Sequence, residues 1–338
     1  MTHPHSPSPW RRRFLQIAGV TAAGWGLGAS VFAQALKSSK APSQLRIGYQ
    51  KSAVNLVILK EQGVLEKRFP DTRVQWAEFP AGPQLLEALS VGSLDFGLTG
   101  DSPPVFAQAA GKDLLYVGAE PPKPDSSAIL VLNDSPLKTL ADLKGRKVAL
   151  QKGSSAHYLL VRAVEKAGLQ WSDIQPIYLP PADARAAFER KSVDAWAIWD
   201  PFYAAIELAI KPRTLATGRD LSSNNSFYLA SSTFANQHSA ALLALLENLT
   251  RADAHAQSQR KDTIKLISAF SGLDAGVVSL FIQRRPTSPV SPLNAATVAD
   301  QQRVADAFFK LGLIPRPIKI ADIVWRPNAA RLAQVDRK

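Results

Sequence analysis

Apolar positions along the chain switch repeatedly between a period of two and a period near 3.6, so strands and helices alternate from residue 45 onward. The pattern predicts strands over 45–49, 74–79, 95–98 and 114–119, with helices over 52–68, 83–92 and 103–110 between them. In the first helix Val54, Val57, Ile58, Val64 and Leu65 keep helical spacing. A strand over 128–132 opens a second set, with strands at 147–150, 175–179 and 193–199 and helices at 155–167, 183–191 and 202–210. One more strand, 227–231, precedes helices at 240–258, 262–271, 275–284 and 295–313. Such alternation implies mostly parallel, doubly wound sheets with helices on both faces.

The run Glu120-Pro-Pro-Lys-Pro-Asp125 continues neither a helix nor a central strand. The pattern changes there and again near 225–230, which predicts two crossings between two α/β lobes. Residues 44–127 and 228–327 form the first, discontinuous lobe, and 128–227 the second. A hydrophobic content of 46% over 338 residues is enough to fill two cores.

Residues 1–35 read as a cleavable export signal. Arg11, Arg12 and Arg13 precede Phe14 and Leu15, a modest apolar stretch follows, and Ala33-Gln34-Ala35 forms a small-x-small exit. The arginines resemble the twin-arginine type of leader, implying a periplasmic destination. The glycine-rich apolar stretch is too weak for a membrane span.

Composition narrows the chemistry. The chain has no cysteine, which removes disulfides, thiolate metal sites and a thiol nucleophile together. The formal charge is +12, and +9 once the three leader arginines are subtracted. Outside the leader the basic residues are scattered, so the charge suits attraction of small anions rather than nucleic acid. His157, His238 and His255 lie far apart in sequence beyond the leader, and no metal-ligand spacing or nucleophile-elbow motif occurs. His157, inside a helix, is read as partly exposed. No catalytic residue, metal or cofactor is assigned, and an enzyme on the same scaffold is the disfavoured reading. A sensory domain is disfavoured too, because no helix-turn-helix segment precedes the lobes.

Four strand-to-helix turns carry the candidate site. They are Tyr49-Gln50-Lys51-Ser52, Thr99-Gly100-Asp101-Ser102-Pro103-Pro104, Gln151-Lys152-Gly153-Ser154-Ser155 and Trp199-Asp200-Pro201. Ligands of open α/β sheets bind beyond the carboxyl ends of strands, where helix starts offer unpaired N–H groups to anions. Two turns fall in each lobe, so facing lobes would gather all four around one small oxyanion, coordinated without a buried cation. Ser52 and Ser102 are expected as helix N-caps with Pro103 at the first helical position. Asp101 and Asp200 carry the wrong sign for direct contact and are assigned mainly to capping and lobe ordering. Trp199, Phe202 and Tyr203 are candidate walls for an organic tail, with Tyr49 behind them. Trp196, three residues from Trp199, faces the other side of its strand. A fifth helix start, Pro180-Pro181-Ala182-Asp183, ranks lower.

These turns resemble those of the aliphatic sulfonate-binding proteins of bacterial sulfur-uptake ABC transporters. The same holds for Arg46-Ile-Gly-Tyr-Gln-Lys51, Glu78-Phe-Pro-Ala-Gly-Pro-Gln84, Ala141-Asp-Leu-Lys-Gly145, Pro181-Ala-Asp-Ala-Arg-Ala-Ala-Phe188 and Asp194-Ala-Trp-Ala-Ile-Trp-Asp-Pro201. The resemblance spans about residues 44–327. It implies a type II periplasmic-binding fold, a small anionic sulfonate as ligand, permease and ATPase subunits as partners, and a monomer. By position it places ligand contacts at Gln50, Ser52, Gly100, Asp101, Ser102, Gly153, Ser154, Ser155, Trp199 and Asp200. The chain departs from the family after Lys51, where Ser-Ala-Val-Asn-Leu replaces a glycine-bearing turn. Neighbouring families bind taurine, nitrate or pyrimidine precursors, which remain alternative ligands.

Overall fold

The computed structural model describes residues 41–327. The predicted leader lies outside them. Two five-stranded sheets share one topology, and each is built around a single antiparallel strand.

In the first sheet β1 (Gln44–Tyr49), β2 (Arg73–Glu78) and β3 (Phe96–Gly100) run parallel in the order β2-β1-β3. β4 (Leu115–Glu120) closes the other edge. The second sheet repeats the arrangement with β6 (Lys147–Leu150), β7 (Gln175–Tyr178), β8 (Ala195–Trp199) and β9 (Arg213–Thr217). Each sheet is completed by the strand that follows a crossing from the other lobe. β5 (Ser127–Val131) lies antiparallel between β8 and β9, and β10 (Ser226–Ala230) antiparallel between β3 and β4. The two crossings run side by side, with the Lys123 N–H donating to Ser223 O at 2.9 Å and Asn224 Nδ2 to Lys123 O at 3.0 Å.

Helices cover both faces of both sheets. In the first lobe these begin with α1 (Val54–Glu61), α2 (Val64–Arg68), α3 (Gly82–Ser90) and α4 (Ser102–Ala109). The second lobe carries α5 (Ser155–Lys166), α6 (Pro181–Glu189) and α7 (Phe202–Ile210). The chain then returns through α8 (Ser232–Gln237), α9 (Ser239–Ser258), α10 (Arg260–Ser271), α11 (Ala275–Arg284) and α12 (Ala295–Lys310). Trp196 is fully buried with Phe188 on one face of the second sheet, as the alternation along β8 requires.

The single helix expected over 52–68 is two helices. Gly63 breaks it with a left-handed φ of 59°, a conformation that costs glycine nothing. The edge strand β9 and the short helix α8 are additions to the predicted elements.

Lobes touch along several edges. Tyr158 and Val161 of α5 join the core that α3, α4 and α12 form on the first lobe. Phe106 of that lobe stacks on His157 of the other and Phe308 packs against it at a tilt, at centroid separations of 6.0 and 5.1 Å.

Candidate functional site

All four predicted turns lie at the carboxyl ends of β1, β3, β6 and β8, where the two lobes face each other. Between them is a cavity of about 60 Å³. Gln50, Ser52, Gly100, Ser154, Ser155, Trp199 and Asp200 line it. Asp101, Ser102 and Gly153 do not. Asp101 and Ser102 are buried behind the wall, where the Ser102 hydroxyl donates to Asp101 Oδ1 at 2.9 Å. Gly153 sits in a left-handed turn beneath α5, its N–H donating to His157 Nδ1 at 3.2 Å.

Helix capping accounts for few of the turn residues. Ala53 and Asp101 hold the N-cap positions of α1 and α4, and neither side chain caps its helix. Ser52 and Ser102 are therefore not the caps that their types suggest, and Pro103 takes the second helical position. Ser154 is the N-cap residue of α5, yet its hydroxyl donates back to Gln151 O at 2.8 Å. Gln50 Nε2 donates to Leu98 O at 3.0 Å and steadies the β1 turn against β3. The first N–H groups of α5 remain without intrahelical partners, beside the cavity wall that Ser154 and Ser155 form.

At the fourth turn Pro201 holds the N-cap position, and the side chain of Asp200, one residue earlier, reaches the first turn of α7. Asp200 Oδ1 accepts the Ala204 N–H of α7 at 3.0 Å and, at 3.2 Å, Arg284 Nη1 from the other lobe. Arg284 also pairs with Glu207 and lies 3.9 Å from the Tyr203 ring centroid. One guanidinium thus clasps three groups of the facing lobe. Burial pushes the Asp200 carboxyl up to about 7, against the pull of Arg284. Burial does the same to Asp101, to about 7.

Beside Trp199 the apolar wall is Phe281, Leu98 and Pro103 rather than Phe202, Tyr203 or Tyr49. Phe202 instead packs edge-on against Trp199 at 5.9 Å. His157, expected to be partly exposed, is fully buried among Phe106, Trp171, Tyr178 and Phe308. Burial lowers its pKa to about 3, so it is a neutral packing group away from the cavity.

The wall also holds charges that reading the turns alone misses. Lys123, Arg285, Glu120, Ser126, Asn224 and Ser226 all line the cavity. Lys123 Nζ lies 2.8 Å from Glu120 Oε2, and Arg285 Nη1 lies 2.6 Å from Asp253 Oδ1. Glu120 Oε1 accepts from Tyr228 Oη at 2.8 Å. Burial acts to raise the Glu120 pKa, but Lys123 and Arg285 outweigh it and hold the carboxylate below its usual range. The expected cation-free site is thus corrected: buried Arg285 and partly buried Lys123 stand at the wall, each with a carboxylate partner. Deleting one member of such a pair strands the other, at a cost of about 3–5 kcal/mol. Among the described residues no group of His, Asp and Glu has the arrangement of a metal site.

The NMT1-like family model matches residues 38–270, more than two thirds of the chain. The chain belongs to the NMT1-like family. A relative from Escherichia coli (strain K12), named for binding aliphatic sulfonates, is 52% identical to this NMT1-like chain over 302 residues. That match covers 89% of this chain and 94% of the relative. Among solved structures, the periplasmic aliphatic sulphonate binding protein SsuA from Escherichia coli is 51% identical, with a TM-score of 0.79 over 85% of this chain and 94% of that one. The alkanesulfonate-binding protein SsuA from Xanthomonas axonopodis pv. citri, bound to MOPS, is 49% identical, with a TM-score of 0.82 over 85% and 99%. The fold is that of these periplasmic binding proteins, as the turn motifs imply.

Proposed function

We propose that this NMT1-like protein captures aliphatic sulfonates between its lobes and delivers them to an ABC importer. The observation that carries the reading is the convergence of polar strand-end turns from both lobes on one cavity, flanked by Lys123 and Arg285. A sulfonate keeps its full charge at any physiological pH and has three equivalent acceptor oxygens. Hydroxyls, helix-start N–H groups and cations suit that chemistry. Trp199 and Phe281 offer apolar surface to an organic tail. Identity of about 50% to sulfonate-binding proteins over nearly their whole length supports the same ligand class.

Residues 44–127 with 228–327, and residues 128–227, then act as two lobes that close on ligand about the paired crossings. Ligand favours the closed state through the contacts it makes only there. Residues 1–35 serve as a cleavable export signal of twin-arginine type, the receptor works in the periplasm as a monomer, and its partners are a permease and an ATPase. Catalysis is no part of this reading: a desulfinase acting through a cysteine nucleophile is incompatible with a chain that has no cysteine.

Thermal melts in a buffer free of sulfonates test the proposal. Short alkanesulfonates at 100 times their Kd are expected to stabilise the protein by about 2.7 kcal/mol and raise its Tm by several degrees. Nitrate and sulfate are expected to do markedly less. A panel in which nitrate outranks every sulfonate would assign the site to another anion.

A further inference from the structure

Two polar atoms on the cavity wall have no partner. Asp200 Oδ2 and Ser126 Oγ are both sealed from solvent, and neither has a hydrogen-bond partner among the described residues. Both residues line the cavity. They are also neighbours, because the Asp200 N–H donates to Ser126 O at 2.9 Å across the β5–β8 edge. Every protein donor recorded at Asp200 goes to its other oxygen: the Ala204 N–H and Arg284 Nη1 both end on Oδ1.

Several other polar groups of the wall are engaged. Gln50 Nε2 is held by Leu98 O, the Ser154 hydroxyl by Gln151 O, Glu120 by Lys123 and Tyr228, and Arg285 by Asp253 and Asn55. A buried acceptor and a buried hydroxyl left open side by side are unusual in a packed interior, and a cavity wall is where ligand atoms satisfy them.

We propose that Asp200 and Ser126 form a subsite for a hydrogen-bond donor, so that the preferred ligand is a sulfonate whose tail carries an O–H or N–H group. The inference rests on the sulfonate reading of the same cavity and refines it. An anionic headgroup alone would enter a cavity that already holds the Asp200 carboxyl. A donor on the tail meets Oδ2 directly, and Ser126 Oγ accepts or donates beside it as the tail group requires. Trp199 precedes Asp200 in sequence and lines the same cavity, so apolar surface for the carbon chain adjoins the donor position.

Isothermal titration in Tris tests this with two matched pairs: ethanesulfonate against 2-hydroxyethanesulfonate, and propanesulfonate against 3-aminopropanesulfonate. In the wild type the donor-bearing member of at least one pair is expected to bind roughly tenfold tighter, the range of one hydrogen bond to a charged group. Asp200→Asn keeps an oxygen for Ala204 and Arg284 but replaces the open acceptor with an amide. Ser126→Ala removes a hydroxyl that makes no bond in the unliganded protein. Both are expected to bring the preference ratio towards one, whereas Arg284→Lys changes both members of a pair alike. Equal affinities within both pairs, or a preference that survives both Asp200→Asn and Ser126→Ala, would overturn the subsite while leaving the sulfonate reading intact. Failure of all four sulfonates to bind would overturn both.

Discussion

Asp101 and Asp200 occupy matching positions, each just after the third parallel strand of its lobe and just before a proline-bearing helix start. Both are buried, and burial raises each carboxyl to about 7. Their surroundings differ. Asp200 has a cation in Arg284, whereas Asp101 has the Ser102 hydroxyl and feels the negative charge of Asp300. A carboxyl whose pKa is higher folded than unfolded binds more protons in the native state. Its stabilising contribution is full below about 3.8 and is lost as pH rises through about 7. Asp101→Asn removes that ionisation while keeping an acceptor for Ser102. The variant is expected to be more stable than wild type at pH 8, by at most about 4 kcal/mol, and to keep less than about half of this advantage at pH 5. Melting curves at the two pH values check it, and a deficit of equal size at both would count against the ionised-carboxylate account. Residue types made these two aspartates visible in the sequence, but not their burial. The burial of His157 is hidden from local pattern for the same reason: the rings that bury it come from both lobes.

Periodicity located the elements well wherever a face packs on a sheet. The helices Phe202–Ile210 and Ala275–Arg284 and the strand Lys147–Leu150 coincide with their predicted bounds. It failed where local backbone decides. Nothing in the apolar spacing of 52–68 marks the break between α1 and α2, because Val64 and Leu65 resume the same face after the turn. β9 escaped notice because it is a short, half-buried edge strand, and α8 because six residues hold too few turns to show a period. The local signal for α8 is Ser231, whose side chain accepts the Phe234 N–H at 3.2 Å and caps the helix. Gly63→Ala is expected to destabilise the first lobe by about 1–2 kcal/mol, since a Cβ there meets only ordinary contacts with Glu66 and Lys67 at 3.9 and 4.0 Å and only the left-handed backbone resists it. Denaturant titration measures the loss, and sulfonate affinity is expected to stay within twofold of wild type.

At the scale of the molecule Gly100 is one of the points where the lobes meet. A Cβ built there would lie 1.9 Å from Ser155 Oγ and 3.2 Å from Ser155 Cβ, across the gap between lobes. Gly100 does not have positive φ, so alanine is acceptable to the first lobe alone. Gly100→Ala is therefore expected to weaken sulfonate binding roughly tenfold by blocking closure, with a change below about 1 kcal/mol in unliganded stability. Ser155→Ala added to it is expected to recover part of the affinity. Calorimetry of the single and double variants reads both effects, and an unliganded protein that loses stability as much as it loses affinity would remove closure as the cause.

The sequence by itself determined the order of elements, the two-lobe alternation and the four strand-end turns, because each is written in periods and turn residues a few positions long. Only the tertiary structure decided which polar groups face the cavity. Arg285 meets Glu120 and Asp253, and Arg284 meets Asp200, across long stretches of chain that local pattern does not connect. Ion pairing and burial are properties of assembled surfaces. The side chain that a cap or a cavity receives is chosen when the lobes come together.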